Sequence, residues 1–173
     1  RSIRFYFIEA FYYGVHMFIY KKKYLLIIEN TKDVQLRNIK LSNKFLIIYR
    51  NKSKTVNFEQ LLKFRQKCKA KHIDFYVGNN LKLMNALKAD GLYISAHNKK
   101  LSLSKIRNTK FKIIGSAHNY RELDVKKKQG CTKFIYSRLF KTKYDYKTGF
   151  LGIIRFNLLK LSCKKDLVPL GGI

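Results

Sequence analysis

The sequence predicts an α/β protein built on a parallel sheet, and three observations lead there. Short runs such as Leu25-Leu26-Ile27-Ile28 and Leu46-Ile47-Ile48 are apolar at consecutive positions rather than alternate ones, the mark of strands covered on both faces. The segments between the runs carry helix-capping residues followed by apolar residues at helical spacing. The two patterns then alternate along the chain, as they do in parallel sheets with crossover helices. Composition and spacing leave two architectures open, an open doubly wound sheet and a (β/α)8 barrel. No G-x-G-x-x-G or G-x-x-x-x-G-K-[ST] follows the first strand, which weighs against the nucleotide-binding versions of the open sheet.

The elements follow in order. Residues 5–20 are aromatic and apolar but interrupted by Glu9 and His16. The stretch is too short for a membrane span, and no small-residue cleavage site follows it. The chain begins at Arg1 and Met17 is a candidate start, so residues 1–23 are set aside as an N-terminal lead and 24–173 are read as one domain. Tyr24 to Ile28 is the first strand, and residues 30–44 lead to the second, Phe45 to Tyr49, without a helix. Asn57 with Gln60 then makes a capping-box pattern for a helix striped by Phe58, Leu61, Leu62 and Cys68. Ile73 to Val77 is the third strand. Asn79 or Asn80 caps a helix carrying Leu83, Met84 and Leu87, and Leu92 to Ile94 is the fourth strand. Phe111 to Ile114 is the fifth, followed by a helix capped by Asn119 and Glu122 and closed by Gly130. Phe134 to Tyr136 is the sixth. A last helix with the stripe Ile154, Leu158 and Leu161 precedes the seventh, Leu167 to Leu170. Each stripe is expected to face the core.

Composition bounds the function. The chain has 173 residues, 46% of them hydrophobic, so it packs a core rather than remaining disordered. Lys and Arg number 38 against 10 Asp and Glu, a net charge of +28. Such a balance raises nucleic acid as a partner. The lysines are nevertheless scattered through every segment, and Lys, Ile, Tyr, Phe and Asn, all abundant here, share A/T-rich codons. The charge is therefore read as a solvated surface, with a basic nucleic-acid-binding protein kept as an alternative. Cys68, Cys131 and Cys163 are far apart and contain no C-x-x-C, so neither a disulfide framework nor a zinc ribbon is expected. Reduced thiols and the lack of a membrane or secretory segment give a cytoplasmic expectation.

The second half of the sequence resembles a known family. Ala89-Asp90-Gly91-Leu92-Tyr93-Ile94 resembles the A-D-G-V-H-L strand of the thiamine phosphate synthase/TenI family. Ile114-Gly115-Ser116-Ala117-His118 resembles its G-x-S-x-H at the end of the fifth strand. Gly130 to Phe140 resembles its G-A-D-Y-V-x-x-G-P-V-F stretch, and Pro169-Leu170-Gly171-Gly172-Ile173 its P-V-x-A-I-G-G-I. The pieces stand in order over about residues 44–173. The resemblance implies a TIM barrel, apparently truncated after the seventh strand, since such barrels have eight strands and typically about 250 residues. It also implies an enzyme that condenses hydroxymethylpyrimidine pyrophosphate with thiazole phosphate, releasing pyrophosphate. Its partners would be small phosphorylated pyrimidine and thiazole substrates.

The same resemblance assigns residues. Arg50 and Lys52 look like the family's pyrophosphate-gripping R-x-K; a guanidinium fork and an ammonium suit phosphate oxygens. Val34-Gln35-Leu36-Arg37 spells the family's V-Q-L-R, but a strand rather than a helix follows it, so it is set aside. Asn79, Thr142, Lys143 and Lys147 join the phosphate-binding set. Gly171 and Gly172 would hold the thiazole phosphate through backbone N–H groups, and Ser116 and His118 are the catalytic candidates. Arg50, Asn79, Ser116, Thr142 and Gly171 all follow strands, so a barrel would gather them around one cavity. The sequence also departs from the family. The two Asp that hold Mg²⁺ fall on Asn80 and Asn98, which implies a weakened cofactor site. The family's sixth-loop Lys falls on Asp145, and the catalytic His of the tautomerase branch falls on Arg138. A TenI-like thiazole tautomerase, or a divergent protein that only binds phosphate esters, is the alternative within the family. The motif itself positions no acid to make a triad with Ser116 and His118, so nucleophilic catalysis is not read.

Overall fold

The structure, a computed structural model, describes residues 16–20, 23–51, 56–101, 111–137, 139–140, 149–163 and 166–170. The chain divides into two compact units, Arg1–Leu92 and Tyr93–Ile173.

In the first unit β1 (His16–Tyr20) pairs antiparallel with β2 (Lys23–Ile28), His16 opposite Ile27 and Tyr20 opposite Lys23. Residues 16–20, set aside in the sequence reading, thus form a strand at the edge of this unit's sheet. β2 pairs in parallel with β3 (Phe45–Tyr49), and β3 in parallel with β4 (Asp74–Gly78). Leu25 to Ile28, Leu46 to Tyr49 and Phe75 to Val77 are buried at every position, which explains the unbroken apolar runs. Residues 30–44 hold three single 3-10 turns, Thr31–Asp33, Leu36–Asn38 and Ser42–Lys44, as the lack of helical spacing predicts.

Helix α1 (Phe58–Ala70) starts where Asn57 accepts a hydrogen bond from Gln60 N at 3.0 Å. It buries Leu61, Phe64, Arg65 and Cys68, while Phe58 at its first turn is 43% exposed. Helix α2 (Leu81–Ala86) is capped by Asn80, whose Oδ1 accepts from Leu83 N at 3.0 Å. β5 (Gly91–Ile94) follows. Arg65 reaches from α1 to the turn before β5, donating to Lys88 O at 3.1 Å and to Asp90 Oδ1 at 2.9 Å. Asp90 Oδ2 accepts from Phe75 N at 2.8 Å, and Asp90 N donates to Phe75 O at 2.9 Å. The Asp of the A-D-G motif therefore ties the start of β5 to β4, a structural role.

In the second unit β6 (Lys112–Ala117), β7 (Lys133–Ser137) and β8 (Asp166–Leu170) pair in parallel and in chain order. Their centres are buried from Ile113 through Ala117, Phe134 through Tyr136, and at Leu167 and Val168. Helix α3 (Tyr120–Lys128) begins at Asn119, which accepts from Glu122 N at 2.9 Å, and Gly130 follows it with φ 84°, the left-handed position of a helix end. The last helix, α4 (Ile153–Ser162), overturns an expectation. Ile154, Leu158 and Leu161 are 78%, 61% and 82% exposed, whereas Phe156 and Leu159 are buried. The helix is apolar on more than one face, so spacing alone offers two stripes, and the core takes the one through Phe156 and Leu159.

The seven strands expected from sequence correspond to β2 through β8. Among the described residues no helix is long and apolar enough to cross a membrane.

Candidate functional site

In the first unit the ends of β3 and β4 bring Arg50 against Gly78, the residue before Asn79. Arg50 N donates to Ile28 O at 2.8 Å, which carries the sheet ladder one residue past β3. Gly78 closes β4 against that point. A Cβ placed there would lie 3.1 Å from Tyr49 O and 3.4 Å from Arg50 Cα, so a larger residue would push the two strand ends apart. Asn79 then turns the chain at φ 55°, a left-handed conformation that Asn tolerates better than most residues. Such conformations gather at ligand-binding sites. Arg50 is half-buried and Asn79 exposed. Beside them Asn51 Nδ2 donates to Tyr49 Oη at 3.1 Å. Burial raises the Tyr49 hydroxyl pKa, against that hydrogen bond, so it stays protonated. Of the two candidate caps, Asn80 caps α2 and leaves Asn79 at the strand end.

In the second unit Ser95 follows β5 and Ser116 lies near the end of β6, both buried. His118 follows β6 and has a carboxylate partner in Glu122, four residues on. Glu122 Oε2 accepts from His118 N at 2.7 Å and lies 3.0 Å from His118 Nδ1. An ionised carboxylate only accepts, so Nδ1 carries the proton it donates. The capping-box reciprocity expected between Glu122 and Asn119 is thus displaced by one residue, onto His118. Burial pushes the Glu122 pKa up, but the His118 N–H, the His118 ring and His97 outweigh it and hold it below the ordinary value of 4.5. The His97 ring lies beside that of His118, centroids 5.7 Å apart. Among the described residues the His118 ring bonds to Glu122 and not to Ser116.

The two residues that the resemblance assigns to the family's metal positions are already engaged locally. Asn80 Oδ1 caps α2, and Asn98 Oδ1 accepts from Lys100 N at 3.1 Å. Both are neutral amides whose oxygen serves a backbone N–H. Among the described residues no group of three or more His, Cys, Asp or Glu is arranged for a metal ion. Mg²⁺ is usually held through one or two carboxylates plus substrate phosphate, and this donor set does not fit it.

Lys52, Thr142, Lys143, Lys147, Gly171 and Gly172, with Arg138 and Asp145, lie outside the described residues. Sequence reasoning missed His97, Glu122, Lys126 and Gln129. For Glu122 the signal was present, since His118 and Glu122 stand four apart across a helix start. The three cysteines are buried thiols, and desolvation pushes Cys68 up to about 12.

No curated protein matches the sequence. Among solved structures, thiamine phosphate pyrophosphorylase from Pyrococcus furiosus superimposes with a TM-score of 0.65 at 19% identity, covering 88% of this chain and 76% of that one. At that identity the likeness establishes the fold, an α/β TIM-barrel-like arrangement. The family model described as thiamine monophosphate synthase matches residues 14–173, nearly the whole sequence. The chain therefore belongs to the thiamine phosphate synthase/TenI family.

Proposed function

We propose that the chain is a thiamine phosphate synthase-like transferase, joining hydroxymethylpyrimidine pyrophosphate to thiazole phosphate. In that reaction the bond between the pyrimidine's methylene carbon and a pyrophosphate oxygen breaks. The thiazole nitrogen forms the new C–N bond and pyrophosphate leaves. The observation that supports the reading most is the close approach of the β3 and β4 ends, where Arg50 packs against Gly78, the residue before Asn79. Arg50, Asn79 and Lys52, with Lys143 and Lys147, would take up charge on the leaving pyrophosphate. Ser116 and Thr142 would line the reacting groups, and Gly171 and Gly172 would hold the thiazole phosphate. His118, held by Glu122, would present a ring of fixed orientation near Ser116. We assign the work to the cytoplasm.

Asn80 and Asn98 supply no carboxylate, so Mg²⁺ affinity without substrate is expected to be weak and turnover low. Product analysis with both heterocycle phosphates tests the reading: thiamine phosphate should form slowly, and Arg50→Ala should lower the rate about a hundredfold. Conversion of a thiazole phosphate carboxylate isomer instead would favour the tautomerase alternative. Asn80→Asp with Asn98→Asp should raise Mg²⁺ affinity measured by calorimetry, since Asp caps a helix as well as Asn does. Tight Mg²⁺ binding by the unmodified chain would show that the two Asn are misplaced as metal positions.

A further inference from the structure

Lys126 is wholly buried, an unusual place for a lysine. It sits on the inner face of α3. Its stem lies over β6: a Cβ at Gly115 would come within 3.0 Å of Lys126 Cβ and Cγ. Its amine is shut away from solvent and, among the described residues, is paired with no carboxylate. It donates to the main-chain carbonyl of Asn98 at 2.5 Å and to Gln129 Oε1 at 3.0 Å. Gln129, also wholly buried, turns its amide nitrogen to the same loop and donates to Asn98 O at 2.9 Å and Lys100 O at 3.0 Å. One carbonyl thus receives two buried side-chain donors. The donors come from consecutive turns of one helix end, and Gln129 locks Lys126 to itself. The loop they hold is the one that carries His97 and Asn98 out of β5.

A buried amine costs desolvation, and a hydrophobic residue of similar length would fill the same space without that cost. Core packing therefore does not explain the choice of lysine. What the pair gains is a fixed backbone at Asn98: a segment with its own Asn98–Lys100 turn is fastened from beneath at two carbonyls, those of Asn98 and Lys100. Loops at the C-terminal ends of barrel strands carry the chemistry, and groups there act only when held in place.

We propose that Lys126 and Gln129 are positioning residues, a buried clamp that fixes the strand-end loop bearing His97 and Asn98 for binding of the phosphorylated pyrimidine. The proposal deepens the synthase reading and rests on it for the identity of the ligand.

The test uses the whole chain with Lys126→Met, which keeps the stem and removes the donor, and Gln129→Glu, which keeps the acceptor for Lys126 and removes the donor to the loop. Amide hydrogen exchange is read at residues 96–101 against β6 and β7, and affinity for inorganic pyrophosphate is measured by calorimetry. Both variants should speed exchange in the loop about tenfold or more while β6 and β7 change little, and should weaken pyrophosphate binding about tenfold. In the condensation assay kcat should fall by a similar factor in the folded protein, and Lys126→Gln, which restores a donor, should recover part of it. Loop exchange unchanged in the folded variants overturns the clamp. So does an unchanged pyrophosphate affinity and kcat alongside a loosened loop, because a merely structural role predicts that result. If Lys126→Met fails to fold, Gln129→Glu alone decides by the same readouts. If the unmodified chain binds no pyrophosphate, the synthase reading fails, and the exchange data still decide whether the clamp exists.

Discussion

At the level of single residues, Gly115 shows how closely this chain is fitted. It lies in β6, one residue before Ser116, and its missing side chain is what lets Cys131 and Lys126 pack there. An alanine methyl would stand 2.7 Å from Cys131 Sγ and 3.0 Å from the Lys126 stem, both buried and unable to move aside freely. Gly115→Ala should therefore destabilise the fold by about 1–3 kcal/mol, measured by denaturant unfolding. Cys131→Ala should recover part of that loss by removing the nearer atom. A neutral Gly115→Ala variant would contradict the packing described. Glu122 gives a second prediction. Its pKa is lowered in the folded chain, so the stability it contributes is present above the unfolded value and is lost as pH falls through the native one. Glu122→Gln keeps an acceptor for His118 N but removes the charge. The variant should be less stable than the parent near neutrality, and the gap should close as pH drops below 4.5. A gap that stays constant down to about pH 3 would mean the carboxylate's charge contributes nothing.

Among the elements, the strands were legible in the sequence and one helix face was not. A strand covered on both sides must be apolar at every position, and few other elements in a short stretch read that way, so Leu25 to Ile28 and Phe134 to Tyr136 declare themselves. Cap residues were equally direct: Asn57, Asn80 and Asn119 each accept from the backbone N–H three residues on. Helix α4 offered no such constraint, because Ile153, Ile154, Phe156, Leu158, Leu159 and Leu161 surround most of its axis. Which stripe is buried depends on what the helix rests on, and that is not written in the helix. The consequence is measurable. Leu159→Ala should cost about 2–5 kcal/mol. Leu158→Ala and Leu161→Ala should each stay within about 0.5 kcal/mol of the parent, as substitutions at exposed positions do. Equal losses at all three would mean that the face carrying Ile154, Leu158 and Leu161 is covered in solution. The site follows the same division. That Arg50 and Asn79 stand at strand ends was legible, because each follows an unbroken apolar run. His97 beside His118, and the Lys126–Gln129 pair beneath Asn98, arise only when separate elements meet.

For the molecule as a whole, the +28 charge is the dominant long-range term, and it bears on both stability and the proposed ligand. Like charges spread over a compact surface repel, and salt screens that repulsion over about 10 Å at 0.1 M. Added sodium chloride should therefore raise the melting temperature without any specific site being involved. A bound anion acts differently: it stabilises by mass action, about 2.7 kcal/mol at a hundred times its Kd, and the effect saturates. The two contributions separate in one experiment. Melting temperature is followed against inorganic pyrophosphate at ionic strength held constant with sodium chloride, in the parent and in Arg50→Ala. The parent should show a saturating rise beyond the salt effect, and Arg50→Ala should keep the salt effect and lose most of the excess. A rise that depends only on ionic strength in both chains would mean that the charge is a diffuse surface property and that Arg50 does not hold pyrophosphate. A rise of equal size with short single-stranded RNA, lost steeply with salt, would instead point to binding by charge alone.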